Sequence, residues 1–218
     1  MIEILYFDKH IAVCHKPSGL LCEGEGKDSL PEALRDELLQ RGVRDPRIFP
    51  VHRLDRETEG IVVYALRSDA AARLSAQISE GKWKKIYNAW LWGVPTDESG
   101  SLSDLLYYDR RLSKSFVVDR ERKGVKQALL DYKVLGRSND GRRTLVKIEL
   151  HTGRTHQIRV QFASRGLPLC GDRRYGAPSE SGKQLLLAAV ELSFYHPSTS
   201  ERMTFKIESE MMRGAVSE

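Results

Sequence analysis

The densest group of side chains able to do chemistry runs from Val51 to Gly60, where His52-Arg53-Leu54-Asp55-Arg56-Glu57-Thr58-Glu59 sets one aspartate between two arginines. A carboxylate beside guanidinium groups stays ionised, because opposite charge stabilises its charged form, and it can then act as nucleophile or electrostatic stabiliser. The same pattern also describes a surface ion-pair cluster, and charge alone favours that plainer reading. In an extended stretch Asp55, Glu57 and Glu59 would share one face and form a glycosidase-like carboxylate group. In a loop that alignment lapses, and both glutamates read as a solvated acidic edge.

A second group spans Leu150-His151-Thr152-Gly153-Arg154-Thr155-His156-Gln157-Ile158-Arg159-Val160. Arg154 with the backbone amides of a helix start would receive an anion, either a phosphate or Asp55 itself. His151 and His156 lie five residues apart with no cysteine or third histidine beside them. A catalytic zinc needs about three protein ligands, so no metal site is expected. Between the two groups, Lys82-Trp83-Lys84-Lys85-Ile86-Tyr87-Asn88-Ala89-Trp90-Leu91-Trp92 interleaves lysines with aromatics. That mixture can hold phosphates and stack bases, but it equally describes an amphipathic strand with one wet face. Alternation puts Ile86, Asn88, Trp90 and Trp92 on one side and Lys85, Tyr87, Ala89 and Leu91 on the other, with the tryptophans read as core.

The elements that must position these groups follow from periodicity. Residues 2 to 7 and 10 to 16 read as short strands closed by the turn Pro17-Ser18-Gly19. Ser29-Leu30-Pro31-Glu32 has capping-box spacing and predicts a helix to about Gln40, followed by a proline-marked loop from Arg44 to Val51. The run Gly60 to Leu66 reads as a buried strand. Ser68 is placed to cap a helix whose Ala71, Leu74 and Ile78 recur at helical spacing before Gly81 ends it. Further strands are expected at 84 to 92, 126 to 135, 142 to 150, 184 to 195 and 202 to 208. Residues 94 to 125 read as a less regular excursion, and the polar tail after Ile207 is expected to fray. Strands outnumber helices and several hairpins are plausible, so the class is α+β with a mixed, largely antiparallel sheet.

Composition sets outer bounds. The chain has 218 residues, 40% of them apolar, a formal charge of +5 and a pI near 9.1. That is enough apolar content to fold without disulfides or metal, and the charge favours an anionic partner. Three cysteines, Cys14, Cys22 and Cys170, form no C-x-x-C pair and suggest a reducing, cytoplasmic setting. No secretory leader is evident at the N-terminus, and no apolar run approaches the roughly 20 residues needed to span a bilayer. No membrane partner is expected.

In their order and content these groups resemble the RluA-type RNA pseudouridine synthases, whose motifs are a lysine-proline-x-glycine turn, an HRLD box, a lysine-x-tyrosine strand and a GRTHQIR box. Here they stand as Lys16-Pro17-Ser18-Gly19, His52-Arg53-Leu54-Asp55, Lys85-Ile86-Tyr87 and Gly153-Arg154-Thr155-His156-Gln157-Ile158-Arg159. Gly171-Asp172-Arg173-Arg174-Tyr175-Gly176, Leu187-Ala188-Ala189 and His196-Pro197 continue the pattern.

The resemblance implies a mixed sheet in two subdomains with a central active-site cleft, forming one catalytic domain over 1–218. It implies Asp55 as catalytic aspartate, Arg154 as the partner that positions and ionises it, and Tyr87 as the aromatic packed on the target uracil. Arg53 would help occupy the space the flipped base leaves, and Ile158 or a neighbouring apolar residue would line the pocket. His52, His156, Gln157, Arg159 and Lys85, lying in the same boxes, are candidate substrate contacts. Two departures stand out. Thr58-Glu59-Gly60 replaces the threonine-serine-glycine of many relatives, and Ala188 stands where many have histidine. Both bear on RNA specificity. The motifs begin almost at Met1, so the extra N-terminal RNA-binding module of some relatives is not expected.

The implied reaction converts uridine in RNA to pseudouridine and needs neither nucleotide cofactor nor metal. The base must leave its stack, which costs a few kcal/mol when paired, so a loop or bulge uridine of ribosomal or transfer RNA is the expected target. Lys82, Lys84, Lys85, Arg110 and Arg111 are candidate phosphate contacts. A monomer is expected. The competing readings are an RNA-binding protein that has lost activity, against which the intact Asp55, Tyr87 and Arg154 argue, and a hydrolase using Asp55 with Glu57 or Glu59, which would leave the other motifs idle.

Overall fold

The computed structural model describes residues 2–213. In chain order its elements are β1 (Glu3–Phe7), β2 (Ile11–Lys16), α1 (Leu30–Gln40), β3 (Phe49–Pro50), β4 (Glu59–Ala65), α2 (Ser68–Ser79), β5 (Lys84–Trp92), β6 (Ser99–Asp109), β7 (Lys114–Val118), β8 (Val125–Arg137), β9 (Arg143–Leu150), α3 (Gln157–Ala163), β10 (Leu187–Tyr195), β11 (Arg202–Lys206) and α4 (Glu210–Arg213). They form two compact units: Met1–Lys84 with Ala189–Ile207, and Lys85–Ala188 with Glu208–Glu218.

In the first unit the strand order is β1-β2-β4-β10, with β11 on β10 and β3 on β4. Ile11 and Val13 of β2, Ile61 and Val63 of β4, and Leu192 and Phe194 of β10 belong to one apolar cluster, joined by Leu74 of α2 and by Trp83. The period of two comes from the pleat, which sends alternate side chains to one face. The intervening residues Ala12, Cys14, Val62 and Tyr64 are fully buried as well. Burial on both faces explains why β4 reads as a continuous apolar run rather than an alternation. Leu30, Leu34 and Leu38 of α1, one helical face by their spacing, are also fully buried. Gly60 has φ +138, and a Cβ there would lie 2.5 Å from the Ala189 carbonyl oxygen, so only glycine fits where β4 begins.

In the second unit the order is β5-β9-β8-β6-β7. Every ladder within it is antiparallel, as are β1–β2, β2–β4, β3–β4 and β10–β11, and an isolated parallel bridge joins Leu21 to Ser29. Leu106, Ala128, Val160 and Tyr175 form a core cluster where α3 packs. The α+β class read from the sequence is the class observed.

Four local expectations are corrected. Residues 94 to 125 are not an irregular excursion, because β6 and β7 form a hairpin, and β6 runs along β8 from Ser99↔Lys133 to Tyr107↔Val125. The signal was weak because β6 opens Ser-Gly-Ser and buries only Leu102 and Leu106, so pairing rather than propensity holds it extended. Ser29 does not close a capping box; its hydroxyl donates to the Gly24 carbonyl at 2.6 Å. Ser68 is the first residue of α2 and Arg67 occupies the cap position. The wet face foreseen for β5 is largely covered, since Ile86, Tyr87, Ala89, Trp90 and Leu91 are all buried. Of the tail, Glu210–Arg213 are helical with Met212 buried; residues 214–218 lie outside the described residues.

Candidate active site

Asp55 opens a tight turn whose backbone is bonded from several directions. The Thr58 amide donates to the Asp55 carbonyl at 3.0 Å, closing the four-residue turn Asp55 to Thr58. Lys16, at the end of β2, is fully buried. Its ammonium donates to the carbonyls of Pro17 at 3.1 Å, Arg56 at 2.9 Å and Thr58 at 2.7 Å. Three acceptors match the three protons of an ammonium, which is how the charge is accommodated without water. Burial lowers the Lys16 pKa, and Cys22, Asp55, Glu57 and Glu59 oppose that shift.

The Lys16-Pro17-Ser18-Gly19 turn completes the clasp. Gly19 N–H donates to the Arg56 carbonyl, and Arg56 Nε returns a bond to the Gly19 carbonyl, both at 2.8 Å. The Ser18 hydroxyl donates to the Glu57 carbonyl at 2.8 Å. On the other side the Leu54 amide donates to Cys22 Sγ at 3.3 Å. The Val63 amide donates to His52 Nε2 at 2.9 Å, so that nitrogen is the unprotonated one, and the His52 ring meets Trp83 edge-on at 5.0 Å. His52 therefore anchors the loop to β4. Arg53 by contrast is exposed, with only a 3.8 Å approach to Glu23.

Because 55 to 58 is a turn, Asp55, Glu57 and Glu59 do not line one strand face. Glu57 is exposed, while Glu59 accepts from His15 Nε2 at 3.0 Å, and His15 Nδ1 faces Glu3 at 3.1 Å. These contacts, the Glu59 bond foremost, raise the His15 pKa against the opposing effect of burial.

In the second unit β5 places Lys85 and Tyr87 two residues apart on one face, with Tyr87 buried opposite Ile148. Burial, and then the charge of Arg154, depress the Lys85 pKa. Lys85 Nζ reaches within 3.6 Å of where a Cβ on Gly153 would stand, so the glycine leaves that space open. Arg154 is steered by its Nε bond to the Gln127 carbonyl at 2.8 Å.

Gln157 is the keystone of this turn. Its side-chain oxygen accepts from the Arg154 amide at 3.0 Å and the Thr152 hydroxyl at 2.7 Å, and its amide group donates to the Leu129 carbonyl at 3.1 Å. Of the amides in this turn, those of Arg154 and Gln157 are already bonded, to the Gln157 side chain and to the Arg154 carbonyl at 3.1 Å, and are not available to an anion. His156 sits at φ 53 in the left-handed region, a strained position for a non-glycine residue. Its Nδ1 pairs with the Tyr175 hydroxyl at 2.9 Å, and that hydroxyl accepts the Ser115 amide at 2.8 Å. His151 faces Asp131 at 2.6 Å. Ile158 is buried.

Arg159 makes a buried two-pronged pair with Asp172, at 2.7 and 2.8 Å, and stacks over the Tyr175 ring at 5.2 Å. Sequence reasoning saw the Gly-Asp-x-x-Tyr-Gly motif without assigning it a task. Asp172 and Tyr175 are the residues it missed, and their signal was the motif itself. Gly171 has φ +77, and a Cβ there would come within 1.8 Å of the Gln184 carbonyl oxygen. Among the phosphate candidates, Lys82 is engaged by Glu80 at 2.6 Å.

Residues 10–164 match the family model described as RNA pseudouridylate synthase. An RNA pseudouridine synthase of Aquifex aeolicus, described as uncharacterized, is 40% identical over 95% of this chain and 69% of its own length. The dual-specificity RNA pseudouridine synthase RluA of Yersinia pestis is 36% identical over 95% of this chain and 98% of its own. The chain belongs to the RNA pseudouridylate synthase family. The solved structure of human RNA Pseudouridylate Synthase Domain Containing 1 shares the fold, with a TM-score of 0.77 over 96% of this chain and 84% of that one at 23% identity. As an RNA pseudouridine synthase the protein is an isomerase acting on RNA, and the RluA-type resemblance drawn from its motifs is upheld. No described helix is long and apolar enough to cross a membrane.

Proposed function

We propose that this protein isomerises loop or bulge uridines in ribosomal or transfer RNA, with Asp55 as the nucleophile and the target base flipped out of its stack. The observation that carries this reading is the fixed turn at Asp55, whose Arg56 and Thr58 carbonyls are gathered by the buried Lys16 ammonium. A nucleophile gains from being held before the substrate arrives, since misplacement of about 1 Å can cost about a hundredfold in rate. In the reaction the N1–C1′ bond of uridine breaks, the uracil turns, and C5 joins C1′. The C5 proton is lost and N1 gains one, so nothing is oxidised or hydrolysed on balance.

Tyr87 packs on the uracil, Arg154 holds the Asp55 carboxylate ionised, and Arg53 fills the space the base vacates. The exposure and loose pairing of Arg53 support that last role, because a side chain that must move should not be held. Lys85 and Ile158 face the substrate. The bonds described for His52, Gln157 and Arg159 support a different part for those three: they hold the two catalytic turns in shape. His156, bonded to Tyr175, serves the same end. Residues 1–218 act as one catalytic domain and as a monomer in the cytoplasm. The dual-specificity name of the Yersinia pestis relative supports more than one RNA substrate here.

The test is pseudouridine mapping of total RNA from cells with the wild-type gene, without it, and with Asp55→Ala. Sites lost in both defective strains support the proposal and name the substrate. Sites that persist with Asp55→Ala but vanish in the deletion would remove Asp55 from the chemistry.

A further inference from the structure

A cavity of about 750 Å³ lies wholly in the second unit, between the β6–β7 hairpin, the loop entering β8 and the turn carrying Arg154. Its wall includes Tyr108, Arg110, Arg111, Lys123, Lys126 and Arg154. Arg110, Arg111, Lys123 and Lys126 are exposed, and among the described residues none of the four makes an ion pair. Elsewhere in this unit arginines do find carboxylates: Arg137 pairs with Glu98, Arg159 with Asp172 and Arg165 with Asp104.

The one carboxylate in the wall is committed to its own turn. Asp109 accepts the amides of Arg111 at 2.8 Å and Leu112 at 3.1 Å. The walls are also built rather than merely adjacent. Arg122 lies 4.7 Å over the Tyr107 ring, Arg174 donates to the Ser113 carbonyl at 2.6 Å, and the Ser115 hydroxyl donates to the Thr155 carbonyl at 2.5 Å. The Tyr108 ring, 37% exposed, is met edge-on by His156 at 6.3 Å, which leaves aromatic surface toward solvent. Four exposed cations, none of them in an ion pair, converge with a single carboxylate on one concavity that also presents an aromatic ring. That is the composition that recognises single-stranded polyanions whose bases can stack.

We infer that this cavity is the seat for the single-stranded RNA flanking the target uridine, with Arg110, Arg111, Lys123 and Lys126 on its phosphates and Tyr108 on a flanking base. The inference rests on the RNA-modifying activity but is separable from the role given to Asp55. It divides the basic residues in two: those on the β6–β7 hairpin and the loop before β8 hold the strand, while Lys82, tied to Glu80, contributes little.

The experiment uses the full-length protein and a fluorescein-labelled oligo-uridine 12-mer, read by fluorescence anisotropy from 50 to 300 mM KCl. The variant is R110Q/R111Q/K123Q/K126Q, and the control is K9Q/R35Q/R44Q/R47Q, which removes as many exposed cations from the first unit. If each cavity cation neutralises one phosphate, the slope of log affinity against log salt becomes shallower by about 2 to 3 in the cavity variant, at roughly 0.7 per phosphate. Affinity at 100 mM salt falls at least about tenfold, while the control moves less than about threefold. Tyr108→Ala weakens binding without changing the slope. A cavity variant with wild-type slope and affinity, or a control that loses as much, overturns the inference. Pseudouridine formation by the same preparations separates the two proposals. Activity with an unmoved slope sinks only the subsite; a moved slope with no pseudouridine formed by wild type sinks only the assigned reaction.

Discussion

Replacing Lys16 with methionine tests whether the Asp55 turn is held by one buried charge. The substitution keeps the length of the side chain and removes the ammonium, leaving the Pro17, Arg56 and Thr58 carbonyls without their donor at 3.1, 2.9 and 2.7 Å. Hydrogen bonds to a charged group contribute about 1.5–3 kcal/mol each, a gross loss of roughly 5–9 kcal/mol for three. Against this stands relief from burying an ammonium, which costs several kcal/mol even after relaxation. A net destabilisation of about 2–4 kcal/mol follows, and for a chain of this size that lowers Tm by roughly 5–15 °C. Turnover should fall further than stability explains, by about a hundredfold below the melting range, with the loss in kcat rather than KM, because the turn that loosens carries Asp55. Thermal melts followed by circular dichroism and single-turnover rates on the mapped RNA measure both. A Lys16→Met protein that melts within about 2 °C of wild type and retains its rate would refute the clasp as the device that positions Asp55.

Three other outcomes are expected. His15 has a raised pKa, so the stabilisation it draws from Glu59 and Glu3 is fully present below its unfolded pKa of about 6.5 and is lost as pH rises through the higher folded value. The Tm gap between wild type and His15→Gln should therefore shrink between pH 5.5 and 8.5, and a gap that widens would reverse the sign of the argument. Asp172→Ala strands the buried Arg159 guanidinium and should cost about 3–5 kcal/mol in urea denaturation; a cost under about 1 kcal/mol would show the pair to be dispensable. Gly171→Ala drives a Cβ to within 1.8 Å of the Gln184 carbonyl at a positive φ and should destabilise by more than about 2 kcal/mol. Normal folding of that variant would mean the segments can part without penalty.

Much of this protein could be read from its residues because the signals are local. The apolar runs of β2 and β4 and the turn glycines marked their elements directly, since short apolar runs and turn chemistry depend on neighbours in the chain. The candidate groups were legible because Asp55 and Arg154 each lie inside dense boxes of functional side chains, and the order of those boxes matched a known family. The tasks of the remaining box residues were not. His52, Gln157 and Arg159 read as candidate substrate contacts in a one-dimensional motif, and nothing in that motif shows the bonds they make to Val63, to Leu129 and Arg154, and to Asp172. The β6–β7 hairpin was missed for the same reason. The Ser-Gly-Ser start of β6 has weak intrinsic preference, and its extended form comes from pairing with β8, a partner distant in the chain.

By itself, then, the sequence determined the α+β class, the position of most elements and the identity of the chemistry-bearing boxes, because those depend on residue type and short spacing. Only the tertiary structure decided which partners the polar groups of those boxes find. A hydrogen bond between Lys16 and Thr58, or an ion pair between Arg159 and Asp172, depends on distance in space, and residue spacing along a chain carries no record of it.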